Sequence, residues 1–461
     1  MEYCVRRKKV KKNKKKIYFF IFISLFLFCY PLHSKEKIIL TLEKSLELAL
    51  TQNPYYLAAQ KKVEGAKAQL TEARSNFFPK INLNAVHTLK EKLFELEMPS
   101  FIPGMPPRKV AIDFTKDYQF TLNFTQPLFT SGKLYYSYNQ AKYNLELTKE
   151  IERQTKQQVI FEVKRAFYGC LLAREFVKVS KEAVELAEKH LTNVKNLYEV
   201  GMASQFDLLR AEVQLANLKP QLIRAKNNYE SALLGLKTIL GIDIDTPIEL
   251  KGELKYEPFE LNVKECLDIA LKNRPELIQL NYQEKIGEQM LRLAKVSNFP
   301  TLSIVGNYNI WGNELSLDKD KWQDYYNINL VLTIPIFSGF LTSAKVGQSK
   351  ALLKEIKLNK KALIEKIKLE VQQAILKIRE AKETLESQEK NVEQAMESVR
   401  IAELNYSEGL ATSLDVSSAQ VALTQAKTNY TQALFDYMVA LAQLERAIGY
   451  DLSKIAKRRG K

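Results

Sequence analysis

The chain is written twice. Residues 45–54 (SLELALTQNP) match 266–275 (CLDIALKNRP) at an offset of 221, and Phe78-Pro79 matches Phe299-Pro300 at the same offset. From Pro127-Leu128-Phe129 against Pro335-Ile336-Phe337 the offset becomes 208, and it holds to the end of the chain. Tyr198, Gly201, Asp207 and Ala211 then align with Tyr406, Gly409, Asp415 and Ala419, and Tyr229 and Gly241 with Tyr437 and Gly449. A duplication of this extent requires every structural element to occur twice. The reading is a leader at 1–34, repeat 1 at 35–248, a linker at 249–260, repeat 2 at 261–455 and a basic tail at 456–461.

The change of offset locates an insertion of 13 residues between the Phe-Pro pair and the Pro-x-Phe triplet of repeat 1. It carries Pro99, Pro103, Gly104, Pro106 and Pro107, the composition of an exposed loop. On both sides of it the apolar period is two. Tyr118, Phe120, Leu122 and Phe124 alternate with Gln119, Thr121, Asn123 and Thr125, and Tyr326, Ile328, Leu330 and Leu332 follow the same pattern in repeat 2. Four strands are expected, at 81–89, 118–126, 302–310 and 326–334. Runs of about ten residues with one apolar face suit membrane-spanning β-strands, and a small soluble hairpin packed on helices is the alternative.

The rest is helical. From 133 to 199 there is no proline, and repeat 2 is equally free of it from 340 to 408. At 1.5 Å per residue such helices reach ~100 Å, longer than a globular core needs. Their apolar seam is narrow: Val177, Val184, Ala187, Leu191, Val194 and Tyr198 in repeat 1, and Leu385, Val392, Ala395, Val399, Ala402 and Tyr406 in repeat 2. That spacing is a coiled-coil pattern, with water on both flanks. A tube of helices around water meets it, and so does a free-standing rod. Both seams stop at a glycine, Gly201 and Gly409, placed to end a helix with φ > 0. Ser204 with Asp207, and Thr412 with Asp415, have capping-box spacing for the returning helices. Pro220, inside the first returning helix, predicts a kink or local unwinding.

Charge does not point to nucleic acid. Half of the net +16 lies in residues 1–34, where nine basic side chains precede the apolar run 17–30. Fourteen apolar residues are short for a bilayer span, which takes ~20, so the segment reads as a secretory signal with cleavage after Ser34. Cys29 follows the bulky Phe28, which fits a lipidation site poorly. Beyond the leader only Cys170 and Cys266 remain, with no metal-ligand spacing, nucleotide loop or catalytic motif. No enzyme activity, cofactor or metal is expected.

The duplicated opening, the segments QPLFTSG (126–132) and IPIFSG (334–339), and the paired Tyr-x-x-Gly-x-x-Ser/Thr-x-x-Asp tips together resemble the TolC family of outer-membrane efflux and secretion channels. The resemblance covers nearly the whole mature chain. It implies a mainly α fold with a membrane β-barrel portion: a homotrimer whose long helices form a periplasmic α-barrel and whose strands share one transmembrane barrel. Residues 241–261 and the segment after Gly449 would join an equatorial belt. The implied function is a passive exit duct in the outer membrane, fed by an inner-membrane pump and a periplasmic adaptor, for efflux or type I secretion. Lipid, pump and adaptor are the expected partners, and nucleic acid is not. Strand-to-helix turns are expected at Pro127, Gly132, Pro335 and Gly339. Adaptor docking is carried over to Gly201, Met202, Gly409 and Leu410. The entrance is carried over to Asp207, Tyr406 and Asp415; its second carboxylate position is Ser418 and its basic position is Ala411, both departures from the family pattern. The competing reading is a soluble periplasmic coiled-coil scaffold or adaptor, which leaves the four alternating segments unexplained.

Overall fold

The computed structural model describes residues 37–90, 94–99, 102–104, 106–112, 116–259 and 262–452. The signal segment with Cys29 and the basic tail lie outside the described residues. Repeat 1 runs β1 (Ile38–Leu40), α1 (Leu42–Gln52), α2 (Pro54–Ser75), β2 (Lys80–His87), β3 (Phe94–Met98), β4 (Arg108–Ile112), β5 (Tyr118–Phe129), α3 (Lys133–Glu199) and α4 (Gln205–Leu240). Repeat 2 runs β6 (Ile248–Leu250), α5 (Val263–Asn273), α6 (Pro275–Lys295), β7 (Thr301–Gly312), β8 (Gln323–Thr333), α7 (Leu341–Ser407) and α8 (Ser413–Ile448).

The four expected strands form one antiparallel sheet in the order β2-β5-β7-β8. The duplication is kept in its register: Lys80 faces Thr125 in repeat 1, and Thr301 faces Thr333 in repeat 2. One face is mainly apolar, with Leu122 facing Leu83 on one side and Tyr308 on the other, and His87, Gln126 and Asp324 its polar members. The opposite face carries an asparagine on every strand at the same level, Asn82, Asn123, Asn307 and Asn327. Asn307 donates to Asn327 Oδ1 at 3.0 Å, and Thr121 to Asn309 Oδ1 at 2.9 Å. Strands β2 and β8 are the two open edges.

Several expectations need correction. The Pro-rich insertion is not a plain loop, because β3 and β4 pair within it as an antiparallel hairpin. Pro127 is not in the turn: β5 continues through it to Phe129, with a register shift between Pro127 and Phe129. Proline has no N–H to give the ladder, so the irregularity falls there. Pro335, by contrast, follows the end of β8. The turns themselves hold two residues each at positive φ, Ser131 and Gly132 in repeat 1 and Gly339 and Phe340 in repeat 2. The linker at 249–260 opens with strand, since β6 pairs in parallel with β1 across its boundary. Helix α4 runs unbroken through Pro220, so the local unwinding does not occur.

The core sits where the short helices meet the long hairpins. In repeat 1, Leu40, Phe167, Leu236 and Leu240 close over α1; in repeat 2, Ile367, Val371, Tyr437 and Ile448 close over α5. The corner between each short helix and the next is tied to the end of a returning helix. Asn53 caps α2 and donates to Ile239 O at 2.7 Å. Arg274, its repeat-2 counterpart, donates to Ala447 O at 3.0 Å, the carbonyl equivalent to Ile239's, and pairs with Glu276 and Glu370. Gly241 ends α4 at φ 75°, and a Cβ there would lie 2.5 Å from Gln52 O. Only glycine fits that approach.

Candidate functional site

At 1.5 Å per residue, α3 and α7 carry the chain ~100 Å from the sheet to two hairpin tips. Both tips are built alike. Met202 N–H and Ala203 N–H donate to Leu197 O, at 2.8 and 3.2 Å. Leu410 N–H and Ala411 N–H donate to the equivalent Asn405 O at the same distances. Gly201 and Gly409 have φ of 79° and 77°, and a Cβ at either would meet nothing within 4 Å. These glycines serve the backbone conformation, not a tight fit. Both capping boxes are made: Ser204 Oγ accepts from Asp207 N at 3.1 Å, and Thr412 Oγ1 from Asp415 N at 3.3 Å.

What the tips present outward is apolar. Met202 and Leu410 are 75% and 74% exposed, and Phe206 and Leu414 beside them are also exposed. Among the described residues nothing covers them, so each tip carries an exposed apolar knob. Ser418, Asp415 and Ala411 line an open groove on the α7–α8 hairpin together with Ser398 and Asn405. Asp415 is fully solvated, and hydrogen bonds from the Thr412 hydroxyl and N–H hold its carboxyl below the ordinary value. It is therefore a charged helix cap facing an open groove.

Between the two hairpins lies a group that the sequence pattern does not reveal. His190, on α3, is buried and hydrogen-bonded through Nε2 to Ser413 Oγ at 2.9 Å, at the head of α8. Its ring lies 5.4 Å from that of Tyr406. Burial pushes the imidazole below its ordinary value, against the opposing pull of Glu403 and Asp207. The Tyr406 hydroxyl is buried without a hydrogen-bond partner, while Asp207 Oδ2 is taken by the Ser204 hydroxyl at 2.6 Å. Tyr406 and Asp207 thus share a neighbourhood without a bond between them. The link between the hairpin tips in this chain is histidine to serine. Glu182 on α3 and Lys427 on α8 add an ion pair at 2.6 Å further from the tip.

An amphipathic antiparallel sheet feeding two long helical hairpins, with solvated tips far from the sheet, defines a channel subunit. The chain belongs to the outer membrane efflux protein family, whose model matches residues 45–242 and 266–450. It is 22% identical over 408 residues to outer membrane protein TolC of Vibrio cholerae, covering 87% of this chain and 89% of that one. It is 22% identical over 343 residues to alkaline protease secretion protein AprF of Pseudomonas aeruginosa, covering 72% and 70%. The solved CmeC outer membrane channel of Campylobacter jejuni shares the fold with a TM-score of 0.72 at 19% identity, covering 91% of this chain and 89% of that one. The protein is an outer-membrane channel that extends into the periplasm and acts as an exit duct. The soluble scaffold reading is not supported.

Proposed function

We propose that three copies of the chain close into one continuous duct, which receives cargo from a pump and adaptor at the hairpin tips and releases it outside the cell. The observation that carries this reading is the sheet with two open, apolar edges. On β2, Ile81 and Leu83 are 63% and 67% exposed, and on β8, Ile328 and Leu330 are 75% and 66% exposed. Unpaired strand edges are not tolerated in lipid, so β8 of one copy must meet β2 of another. The apolar face then meets lipid and the asparagine face lines the lumen. Ring closure by a head-to-tail interface is the symmetry that this requires.

The tips are the periplasmic end. Gly201, Met202, Gly409 and Leu410 form the adaptor-docking knobs, and Asp207, Tyr406, Asp415 and Ser418 surround the entrance. The signal segment at 1–34 directs the chain across the inner membrane. The duct is passive; transport energy comes from the pump. Efflux and type I secretion both use such a conduit. The test is deletion of the gene with substrate accumulation measured beside fractionation. The protein should leave the outer-membrane fraction only with detergent, and its loss should raise intracellular substrate while the pump remains present. Extraction by salt alone would overturn the reading.

A further inference from the structure

The four helices that hang from the sheet are unevenly charged along their length. In the eleven residues of each next to the sheet (65–75, 133–143, 285–295 and 341–351), nine side chains are basic and two are acidic. In the eleven residues below (54–64, 144–154, 274–284 and 352–362), nine are again basic but seven are acidic. Six of the lower nine cations are in ion pairs, among them Lys61 with Glu64, Arg153 with Glu150 and Lys360 with Glu284. Among the described residues, none of the upper nine is in an ion pair. The far end of the sheet has no such excess: described positions of 87–117 and 313–324 hold six basic and seven acidic side chains.

The duplication keeps two of these cations in both repeats. Arg74 is equivalent to Lys295 at the offset of 221, and Lys142 to Lys350 at 208; all four are exposed. Arg74 and Lys295 stand in the last turns of α2 and α6, where the helix dipole favours a cation. Lys142 and Lys350 lie in the third turns of α3 and α7, beyond the reach of that dipole, so it gives no reason for them. Lys142 stands eleven residues, about three turns, above Arg153, which lines a pocket with Leu46 of α1. The short helices must lie outside a duct whose bore is open, so this flank of α3 faces outward, and by the repeat so does that of Lys350. On α6, Lys285, Arg292 and Lys295 share a flank at i, i+7 and i+10, clear of Gly287, which abuts Leu353 and Ile356 of α7. Lys285 lies over the ring of Tyr143, beside Lys142.

Immediately above these cations the surface is aromatic. Phe78, Phe129, Phe299, Phe337 and Phe340, at the junctions of strands and helices, are 53% to 77% exposed. Such rings collect at the surface of a bilayer. The headgroup layer beyond the hydrocarbon is about 5–7 Å deep on each side. Arg74 and Lys295 come four residues before Phe78 and Phe299, which places them in that layer. Lys142 and Lys350 begin ~14 Å below the helix ends, at 1.5 Å per residue. Their long stems can extend upward, and the remaining gap is within a Debye length of ~8 Å.

We propose that Arg74, Lys142, Lys295 and Lys350 form a two-tiered outer collar that holds the phosphate groups of acidic phospholipids in the periplasm-facing leaflet. The missing carboxylates leave the collar to be neutralised by an anion from outside the chain, and the aromatic band above it makes that anion a lipid headgroup. The collar then fixes the depth at which the channel sits. This rests on the closed-duct reading above, which puts this flank outside and this end of the sheet at the periplasm.

Native mass spectrometry of the full-length, delipidated protein tests it, with phosphatidylglycerol and phosphatidylcholine of matched chains as probes. The parent should retain several-fold more phosphatidylglycerol per particle. Arg74→Gln, Lys142→Gln, Lys295→Gln and Lys350→Gln combined should abolish that preference. Lys62→Gln, Lys354→Gln, Lys361→Gln and Lys377→Gln combined remove as many exposed charges lower on the helices and should keep it. Equal retention of both lipids by the parent overturns the proposal, as does an undiminished preference in the collar variant or its loss in the lower variant. Displacement of the lipid by equimolar inorganic phosphate would make this a site for the bare anion, against the proposal. An acidic protein retained by the parent in place of lipid, and lost from the collar variant, would also overturn it. Particle mass in the same spectra counts the chains, so a failed duct shows as monomers and a failed collar as closed particles without lipid preference.

Discussion

His190 Nε2 and Ser413 Oγ meet at 2.9 Å although 223 positions separate them, and they join the outgoing arm of the first hairpin to the head of the returning arm of the second. Asp207, Glu403 and Tyr406 face the ring from α4 and α7, but burial dominates and lowers its affinity for a proton. For a base depressed below its ordinary 6.5, the folded contact is fully supported above that pH and weakens as pH falls from there toward the folded value. Protection from hydrogen exchange over 405–415, taken relative to the intrinsic base-catalysed rate, should therefore fall on acidification below 6.5. His190→Gln should remove that fall. Protection that stays constant with pH in the parent would contradict the assignment.

Asp415 is a helix cap beside the open groove of the α7–α8 hairpin and, in the proposed duct, a charge at the entrance; two variants separate the roles. Thr412→Ala removes the hydroxyl that helps hold the carboxyl low, keeps the backbone N–H that also donates to it, and leaves the charge in place at neutral pH. Asp415→Asn removes the charge. Single-channel recording should show a weakly cation-selective parent, with selectivity retained by Thr412→Ala and lost by Asp415→Asn. Equal selectivity in all three would reduce Asp415 to a cap.

Met202 and Leu410 stand clear of the turns whose backbones they belong to, so polar replacements there spare the fold. Met202→Ser with Leu410→Ser should leave the thermal midpoint unchanged and abolish crosslinking to the adaptor. Unchanged crosslinking would remove the tips from the docking surface. Gly201→Ala, in contrast, forces a left-handed alanine at a cost of ~1–2 kcal/mol and should act through the turn.

Two glycines at equivalent corners should differ in tolerance. A Cβ at Gly241 would sit 2.5 Å from Gln52 O, whereas at Gly449 it would be 3.1 Å from Asn273 O. Both carry the positive-φ penalty, so Gly241→Ala should lower the thermal midpoint clearly more than Gly449→Ala. Equal losses would mean that the α1–α2 corner yields.

Gly104 lies between β3 and β4, at the far end of the sheet from the helices. An epitope inserted there should be labelled on intact cells. Labelling only after the outer membrane is permeabilised would invert the topology.

The long helices were legible because proline is absent over their whole length and each ends at a glycine with a capping pair behind it. The four sheet strands were legible from their period of two. The hairpin of β3 and β4 was hidden by its own Pro/Gly cluster, which reads as loop, and β1 and β6 are three residues each, too short for any period. At the tip, an apolar seam drawn through Leu191 passes over His190. The structure buries His190 and leaves Leu191 partly exposed, because a polar side chain takes a core position when a partner from another repeat satisfies it. Such a partner is invisible to spacing within one helix. Tyr406 illustrates the reverse case: its place in the repeat was legible, its buried and unpartnered hydroxyl was not.

The central claim is that the open edges β2 and β8 close between copies to make one duct. Native mass spectrometry of the detergent-extracted protein measures this most directly. The account predicts a single particle of three chains that survives dilution and dissociates only when the detergent is exchanged for denaturant. A monomer that keeps its helical circular dichroism in the same detergent would contradict it.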